Sequence, residues 1–235
     1  MNVKWDGFRM VCHMSKKVLL SWSSGKDSAW ALHVVRRQCT VEIAGLITTI
    51  NSAFDRVAMH STRRSLVEMQ AKSAGLPLLP VPLPWPCSNA DYECAMKSVC
   101  DQAVAEGIEA IVFGDLFLAD IRAYRERQLA NTGLEPLFPL WQIPTNELAE
   151  EMIRSGLKAR LVCVDPKALA PDFAGRDFDQ QLLRDLPAGV DPCGENGEFH
   201  SFAYAGPMFS QPIPIVSGER VERDGFWFAD LLPGT

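Results

Sequence analysis

Lys17-Val-Leu-Leu-Ser-Trp-Ser-Ser-Gly-Lys-Asp-Ser28, running on into Ala29–Gln38, is the stretch that decides the fold. Val18, Leu19 and Leu20 form a compact apolar run that Trp22 extends, as expected of a strand buried on both faces of a parallel sheet. Ser23, Ser24, Gly25, Lys26, Asp27 and Ser28 follow, all small or polar apart from the lysine, and Ala29–Val35 then shows apolar residues at helical spacing. Strand, tight turn and helix together make an anion trap. The amides at the helix start converge on one point, the helix dipole favours negative charge there, and Lys26 adds a full positive charge.

The mononucleotide P-loop, G-x-x-x-x-G-K-[ST], is excluded. Its first glycine would fall at Leu20 and its final Ser or Thr at Asp27. The six residues resemble instead the S-G-G-x-D-S loop of the N-type ATP pyrophosphatases, with Ser24 in place of the first glycine. That resemblance implies a loop holding the β- and γ-phosphates of ATP while an acceptor attacks the α-phosphate.

With 235 residues the chain can build one large domain or two small ones. A net charge of −6 gives no reason to expect a nucleic-acid surface, which needs clustered Lys and Arg. Seven scattered cysteines, with no C-x-x-C and no zinc spacing, read as reduced thiols in a cytoplasmic protein. No apolar run approaches the ~20 residues of a membrane span. Residues 1–13 lack periodicity and read as a disordered leader, with Met14 as a natural translation start.

Further along, Val41–Ile50 reads as a second buried strand and Asn51–His60 as a loop over the carboxyl edge of the sheet. Thr62–Ala74 reads as a helix stopping at Gly75, Leu78–Leu83 as an edge strand, and Asn89–Glu106 as a helix capped by Asn89. Glu109–Phe113 is the fourth strand, ending at Gly114-Asp115. This alternation predicts an α/β fold with a doubly wound, Rossmann-like parallel sheet of the HUP type. With strand order 3-2-1-4, the Ser23–Ser28 and Gly114-Asp115 loops become neighbours at the crevice where ligands bind such sheets. Asp120–Asn131 reads as a helix, with Arg122 and Glu126 spaced as an i,i+4 pair. Glu135–Trp141 reads as a crossing segment and Thr145–Ser155 as a helix with Gly156 beyond it. Past Asp165, where half of the sixteen prolines lie, strand-like runs look short. The expected division is an ATP-binding domain over residues 14–140 and a smaller α+β substrate lobe over 141–235.

That second part contains Asp191-Pro-Cys-Gly-Glu-Asn-Gly-Glu-Phe-His-Ser-Phe202. Glu195 and Glu198 could hold a metal, orient an amine or act as bases, and His200 could move a proton. A polar hairpin with a solvated tip is the plainer reading. Cys193 has no evident basic neighbour and reads as inert.

Ser-x-Gly-Lys-Asp-Ser at 23–28, Phe-Gly-Asp at 113–115, Arg-x-x-x-Glu at 122–126, Pro-Leu-Trp at 139–141 and Gly-Glu-x-Gly-Glu-Phe-His at 194–200 occur in one order. Together they resemble the diphthine–ammonia ligase family, as do Asp55–His60 and Gln70. The resemblance covers about Lys16 to Phe209, without the extra C-terminal domains of long eukaryotic members. It implies ATP-dependent amidation, in which a carboxylate is adenylated with release of pyrophosphate and ammonia then displaces AMP. The carboxylate would be diphthine, a modified histidine on a translation factor; the resemblance leaves homodimer formation open. Ser23, Ser24, Gly25, Lys26, Asp27 and Ser28 would bind the nucleotide, together with Gly114, Asp115, Arg122 and Glu126. Asp27 and Asp115 would hold Mg²⁺. Lys26 would offset charge on the leaving group, and Glu195, Glu198 and His200 would handle acceptor and ammonia.

Two other readings stay open on the residues alone: a tRNA-modifying ATP pyrophosphatase, and a non-catalytic adenine-nucleotide sensor. The ligase reading carries two expectations. Lys26→Ala lowers activity with little effect on folding, because a loop lysine is not core, and Glu198→Gln keeps nucleotide binding while product formation stops.

Overall fold

The computed structural model describes residues 15–58 and 61–234. The expected leader, the Met14 start and His60 lie outside the described residues. Sheet A is built from β1 (Lys16–Ser21), β2 (Val41–Asn51), β4 (Leu78–Leu83), β5 (Ala110–Val112) and β6 (Glu135–Leu137), all parallel. Its order is β4-β2-β1-β5-β6, so the expected 3-2-1-4 arrangement is present with one strand added. That added strand, β6, covers only Glu135–Leu137, inside the segment expected to cross between units. A two-residue strand, β3 (Arg56–Val57), also folds back antiparallel on the end of β2, within the expected loop.

The apolar alternation of β1 separates the two faces. Val18 and Leu20 join a core with α1 (Lys26–Gln38) and α2 (Arg64–Ala74), whereas Leu19 faces α3 (Asn89–Ala105) with Ile47 and Ile111. α3 is capped by Ser88 rather than Asn89. The Ser88 hydroxyl accepts from the Asp91 amide (3.1 Å) and the Asp91 carboxylate accepts from the Ser88 amide (3.0 Å), a reciprocal capping box. α4 (Ala119–Leu129) follows β5, and α5 (Thr145–Arg154) ends before Gly156, whose φ of +89° suits glycine.

Sheet B is antiparallel, in the order β8-β7-β10-β9, from β7 (Lys158–Val164), β8 (Phe199–Ala205), β9 (Ile215–Arg223) and β10 (Phe226–Pro233). The β9–β10 hairpin corrects the expectation of only short strands past Asp165. Its turn is Asp224-Gly225, both with positive φ (50° and 82°), as two-residue hairpins require. Among the described residues no helix is long and apolar enough to cross a membrane.

One hydrophobic cluster runs through both sheets: Val18, Leu20 and Trp30 share it with Leu161, Ala203 and Ala229. α2 is gripped from both sides, Val67 and Ala71 in that cluster and Leu66 against Val162, Phe202 and Leu231 of sheet B. Polar ties reinforce the join. Asp230 of β10 accepts from Arg56 (2.8 Å) and from Arg63 through both oxygens (2.6 and 3.3 Å).

Gln70 of α2, fully buried, ties three elements. Its Oε1 accepts from the Trp22 indole (2.9 Å), and its Nε2 donates to the carbonyls of Ser24 (3.0 Å) and Ala203 (2.6 Å). Gln70→Leu strands the indole N–H and removes a donor from two buried carbonyls. A loss of about 3 kcal/mol, or roughly 6–12 °C in Tm, is expected in thermal melts. A melt indistinguishable from wild type would make this tie incidental.

Candidate active site

The loop after β1 is shaped by one residue. Ser24 has φ = +71°, the left-handed region in which a glycine is unstrained, so the serine adopts the conformation of the residue it replaces in the resembling motif. Its side chain turns away from the sheet edge and donates to Thr62 Oγ1 (3.0 Å), while its carbonyl accepts from Gln70 and from the Ala203 amide (3.0 Å). Gly25 then caps α1, its amide donating to Ser23 Oγ (3.3 Å). Ser28 Oγ donates to the Gly25 carbonyl (3.0 Å) and lies 3.2 Å from Ser23 Oγ. The Lys26 amide donates to Ser201 Oγ of β8 (3.2 Å), so sheet B supports the helix start directly.

The loop opens on a cavity of about 240 Å³ lined by Ser23, Lys26, Asp27, Ser28, Gly114, Asp115, Arg125, Glu195 and His200 among others. Gly114 makes it possible. A Cβ there would lie 3.0 Å from both the Asp27 carbonyl carbon and the Ser28 nitrogen, so only glycine lets the β5 loop approach α1 this closely. On the opposite wall Gly194, at φ = +70°, turns the chain where a side chain would collide with Phe199. Asp191 holds this wall by accepting from the Cys193 (3.1 Å) and Glu195 (3.0 Å) amides, and Glu195 Oε1 accepts from the Leu116 amide (2.8 Å). A much larger cavity, about 1070 Å³, lies over the carboxyl ends of β1, β2 and β4 and includes Trp85, Tyr92 and Tyr124. Ser21, Ser23, Phe113 and Arg125 line both.

Five expected residues are absent from both linings: Ser24 and Gly25, which shape the loop, and Arg122, Glu126 and Glu198. Arg122 and Glu126 pair with each other (2.8 Å) outside both linings, with the Arg122 guanidinium 4.8 Å from the ring centres of Phe138 and Trp141. It is Leu118, the residue capping α4, with Ile121 and Arg125 of the helix that face the small cavity. Glu198 is buried behind the wall, its Oε1 accepting from the Asp191 amide and Asn196 Nδ2 (3.0 Å each), so the 191–198 turns are packed structure rather than a solvated hairpin tip. Residues that sequence reasoning missed are Arg125, Ser201 and Asp191.

Burial governs the electrostatics. Lys26 is 2% exposed and lies between the rings of Phe178 and Phe199, donating to Asp27 Oδ2 (2.9 Å) and to the Cys193 carbonyl. Burial opposes its charge, but the attraction of its neighbours, Asp27 foremost, outweighs it and its pKa is raised. The expectation that Lys26 is not core is therefore corrected. Burial also raises Asp27 and Asp115, against the pull of Lys26 and Arg125 respectively. Glu195 is pushed up to about 7, chiefly by burial, with Asp27 and Asp115 adding to it. His200 is pushed down to about 4 by burial and then by Lys26, so at neutral pH it is uncharged and a weak base. The Cys193 thiol is raised by burial and donates to the Thr145 carbonyl, consistent with an inert cysteine.

Asp27 Oδ1 and Asp115 Oδ2 are both buried and without a hydrogen-bond partner among the described residues. Two carboxylate oxygens without hydrogen bonds, beside the start of α1, have the chemistry of ligands to a hard cation that keeps waters and phosphates as its other ligands. No group of three or more His, Cys, Asp or Glu residues that could hold a metal occurs among the described residues.

A tight loop opening a helix at the switch point of a doubly wound sheet, closed by a second sheet, is the class of architecture in hand. The description "Diphthamide synthase N-terminal domain" matches residues 16–136, and "Diphthamide synthase C-terminal domain" matches residues 144–231. The chain belongs to the diphthamide synthase family. Similar proteins include a Bos taurus diphthine–ammonia ligase, 28% identical over 231 residues, covering 89% of this chain and 86% of the relative. One from Danio rerio is 28% identical over 233 residues, covering 89% and 90%. A Homo sapiens relative of the same name is 35% identical over 132 residues, 54% of this chain and 49% of its own.

Two predictions follow from these burials. Lys26→Ala leaves Asp27 and the Cys193 carbonyl buried without their cation, so it should cost about 3–5 kcal/mol in denaturant unfolding as well as activity. A cost under ~0.5 kcal/mol, the range of surface changes, would contradict the buried pair. His200, with its folded pKa below the unfolded value, stabilises the fold above about pH 6.5, and that contribution is lost as pH falls towards 4. Glu195, raised, stabilises at low pH, and its contribution is lost as pH rises through about 7. The two slopes oppose each other between pH 4.5 and 6.5. Tm against pH should therefore fall more steeply on acidification in Glu195→Gln than in wild type, and less steeply in His200→Gln; parallel profiles would refute the assignment.

Proposed function

We propose that the protein is an ATP-dependent ligase that adenylates a carboxylate, releases pyrophosphate, and aminates the acyl-adenylate with ammonia, with diphthine on a translation factor as the acceptor. The observation that carries this reading is the convergence of the Ser23–Ser28 loop, Asp115 and Glu195 on one small cavity beside a larger one with ample room for a nucleoside. The names of the relatives support the same acceptor.

In this reading the adenosine lies in the larger cavity and the β- and γ-phosphates in the smaller, against the start of α1. A carboxylate oxygen of the acceptor attacks the α-phosphorus, the bond to the β-phosphate oxygen breaks, and pyrophosphate leaves. Ser23, Ser28 and the first amides of α1 hold the pyrophosphate. Lys26, held rigidly by Asp27, supplies fixed positive charge beside it. Mg²⁺ bound with the nucleotide would neutralise phosphate charge, held by Asp27 and Asp115. Ammonia then attacks the acyl carbon, the carbon–oxygen bond to AMP breaks, and Glu195 takes the surplus proton from nitrogen. A carboxylate poised at about 7 suits that step at neutral pH, whereas His200 at about 4 does not. Neutral His200 is left to orient the nucleophile, and Glu198 to hold the wall. Residues 14–140 thus serve activation and 141–235 serve the acceptor, in a cytoplasmic protein.

ATP–pyrophosphate exchange tests the division of labour. Wild type should exchange label when given the diphthine-bearing factor and should form amide when ammonia is added. Glu195→Gln should keep exchange within about tenfold while amide formation falls by roughly 10²–10⁴, the usual worth of a general base. Equal loss of both activities would contradict the role given to Glu195.

A further inference from the structure

Four residues line both cavities, Ser21, Ser23, Phe113 and Arg125, and they define the neck between them. On the adenylation reading, on which this inference rests, the adenosine lies on one side of the neck and the pyrophosphate on the other. The group in the neck is then the α-phosphate, the centre under attack.

Arg125 is the cation of that neck. The small cavity has one other permanent cation in its lining, Lys26, whose ammonium is already committed to Asp27 and to the Cys193 carbonyl. Arg125 is differently placed. Its Nε is buried and has no hydrogen-bond partner among the described residues. The nearby Asp115 Oδ2, at 3.7 Å, is too distant for a hydrogen bond, so it attracts the guanidinium without using up its donors. The Phe113 ring, 5.0 Å from the guanidinium carbon, supports the plane from below, and one α-helical turn earlier Ile121 fixes the same face of α4. A buried, unused donor on a held guanidinium is costly unless a ligand meets it.

We propose that Arg125 is a catalytic residue that binds the non-bridging oxygens of the α-phosphate and stabilises the charge that develops there as the acceptor carboxylate attacks. The planar fork of donors matches two phosphate oxygens at once, which an ammonium does not. In the attack a bond forms between carboxylate oxygen and the α-phosphorus, the bond to the leaving pyrophosphate breaks, and Arg125 keeps its proton throughout.

The test compares Arg125→Lys and Arg125→Gln with wild type, using the diphthine-bearing factor and the two diastereomers of ATPαS. The expected result is a fall of about 10²–10³-fold in the exchange rate at saturating ATP in both variants, with the Kd for ATP changed by less than about tenfold. The ratio of rates for the two ATPαS diastereomers should also shift, since sulfur replaces one of the oxygens that Arg125 meets. A structural role alone would leave that ratio unchanged. Wild-type exchange together with an unaltered rate and ratio in the variants overturns the role of Arg125, as does a loss confined to ATP affinity. No exchange in wild type overturns the adenylation reading itself.

Discussion

The Gln70 side chain sits where the first loop of sheet A, helix α2 and strand β8 of sheet B meet, and most of the site depends on it. Its amide group satisfies the Trp22 indole and the Ser24 and Ala203 carbonyls within a fully buried space. An amide is well suited to this place, because it offers an acceptor on one side and two donors on the other. Ser24, held in the left-handed region, cannot relax without breaking that set. The loop is therefore held in place by the fold itself, the kind of preorganisation that electrostatic catalysis needs.

The same burial that fixes the loop sets its charges. Lys26 and Asp27 form a buried pair in which Lys26 has the Cys193 carbonyl as a further partner, and burial raises Asp27, Asp115 and Glu195, with Asp27 adding to the rise of the other two. Three carboxylates and two permanent cations around about 240 Å³ make an arrangement that a charged ligand completes. Glu195 and His200 face the same space with pKa values moved in opposite directions, and only one of them is left as a base at neutral pH.

Much of this was legible in the chain. The apolar runs of β1, β2, β4 and β5 separated by small-residue loops marked four strands, and Ser23–Ser28 with Gly114-Asp115 pointed to the crevice once the order 3-2-1-4 was assumed, as it is found. β6 was hidden because three residues containing a proline carry no period, and the β9–β10 hairpin because its outer strand is exposed on most positions, which masks alternation. The Asp224-Gly225 turn was the signal that could have revealed it. α4 presents Arg122, Arg125 and Glu126 on a helix with little amphipathic contrast, so the pattern did not say which face meets the site. The burial of Lys26 and the low pKa of His200 come from residues more than 150 positions away and from strand pairing, which local sequence does not encode.

Adenylation at the α-phosphate is the central claim, and the fate of one oxygen reports on it directly. With the acceptor carboxylate enriched in ¹⁸O, turnover with ATP and ammonia should deliver one ¹⁸O into AMP, because the oxygen that attacks phosphorus leaves with it when nitrogen displaces the adenylate. Mass spectrometry of the released nucleotide reads this without reference to rates. Label in inorganic phosphate with ADP as the nucleotide product, or unlabelled AMP alongside amide, would contradict the account.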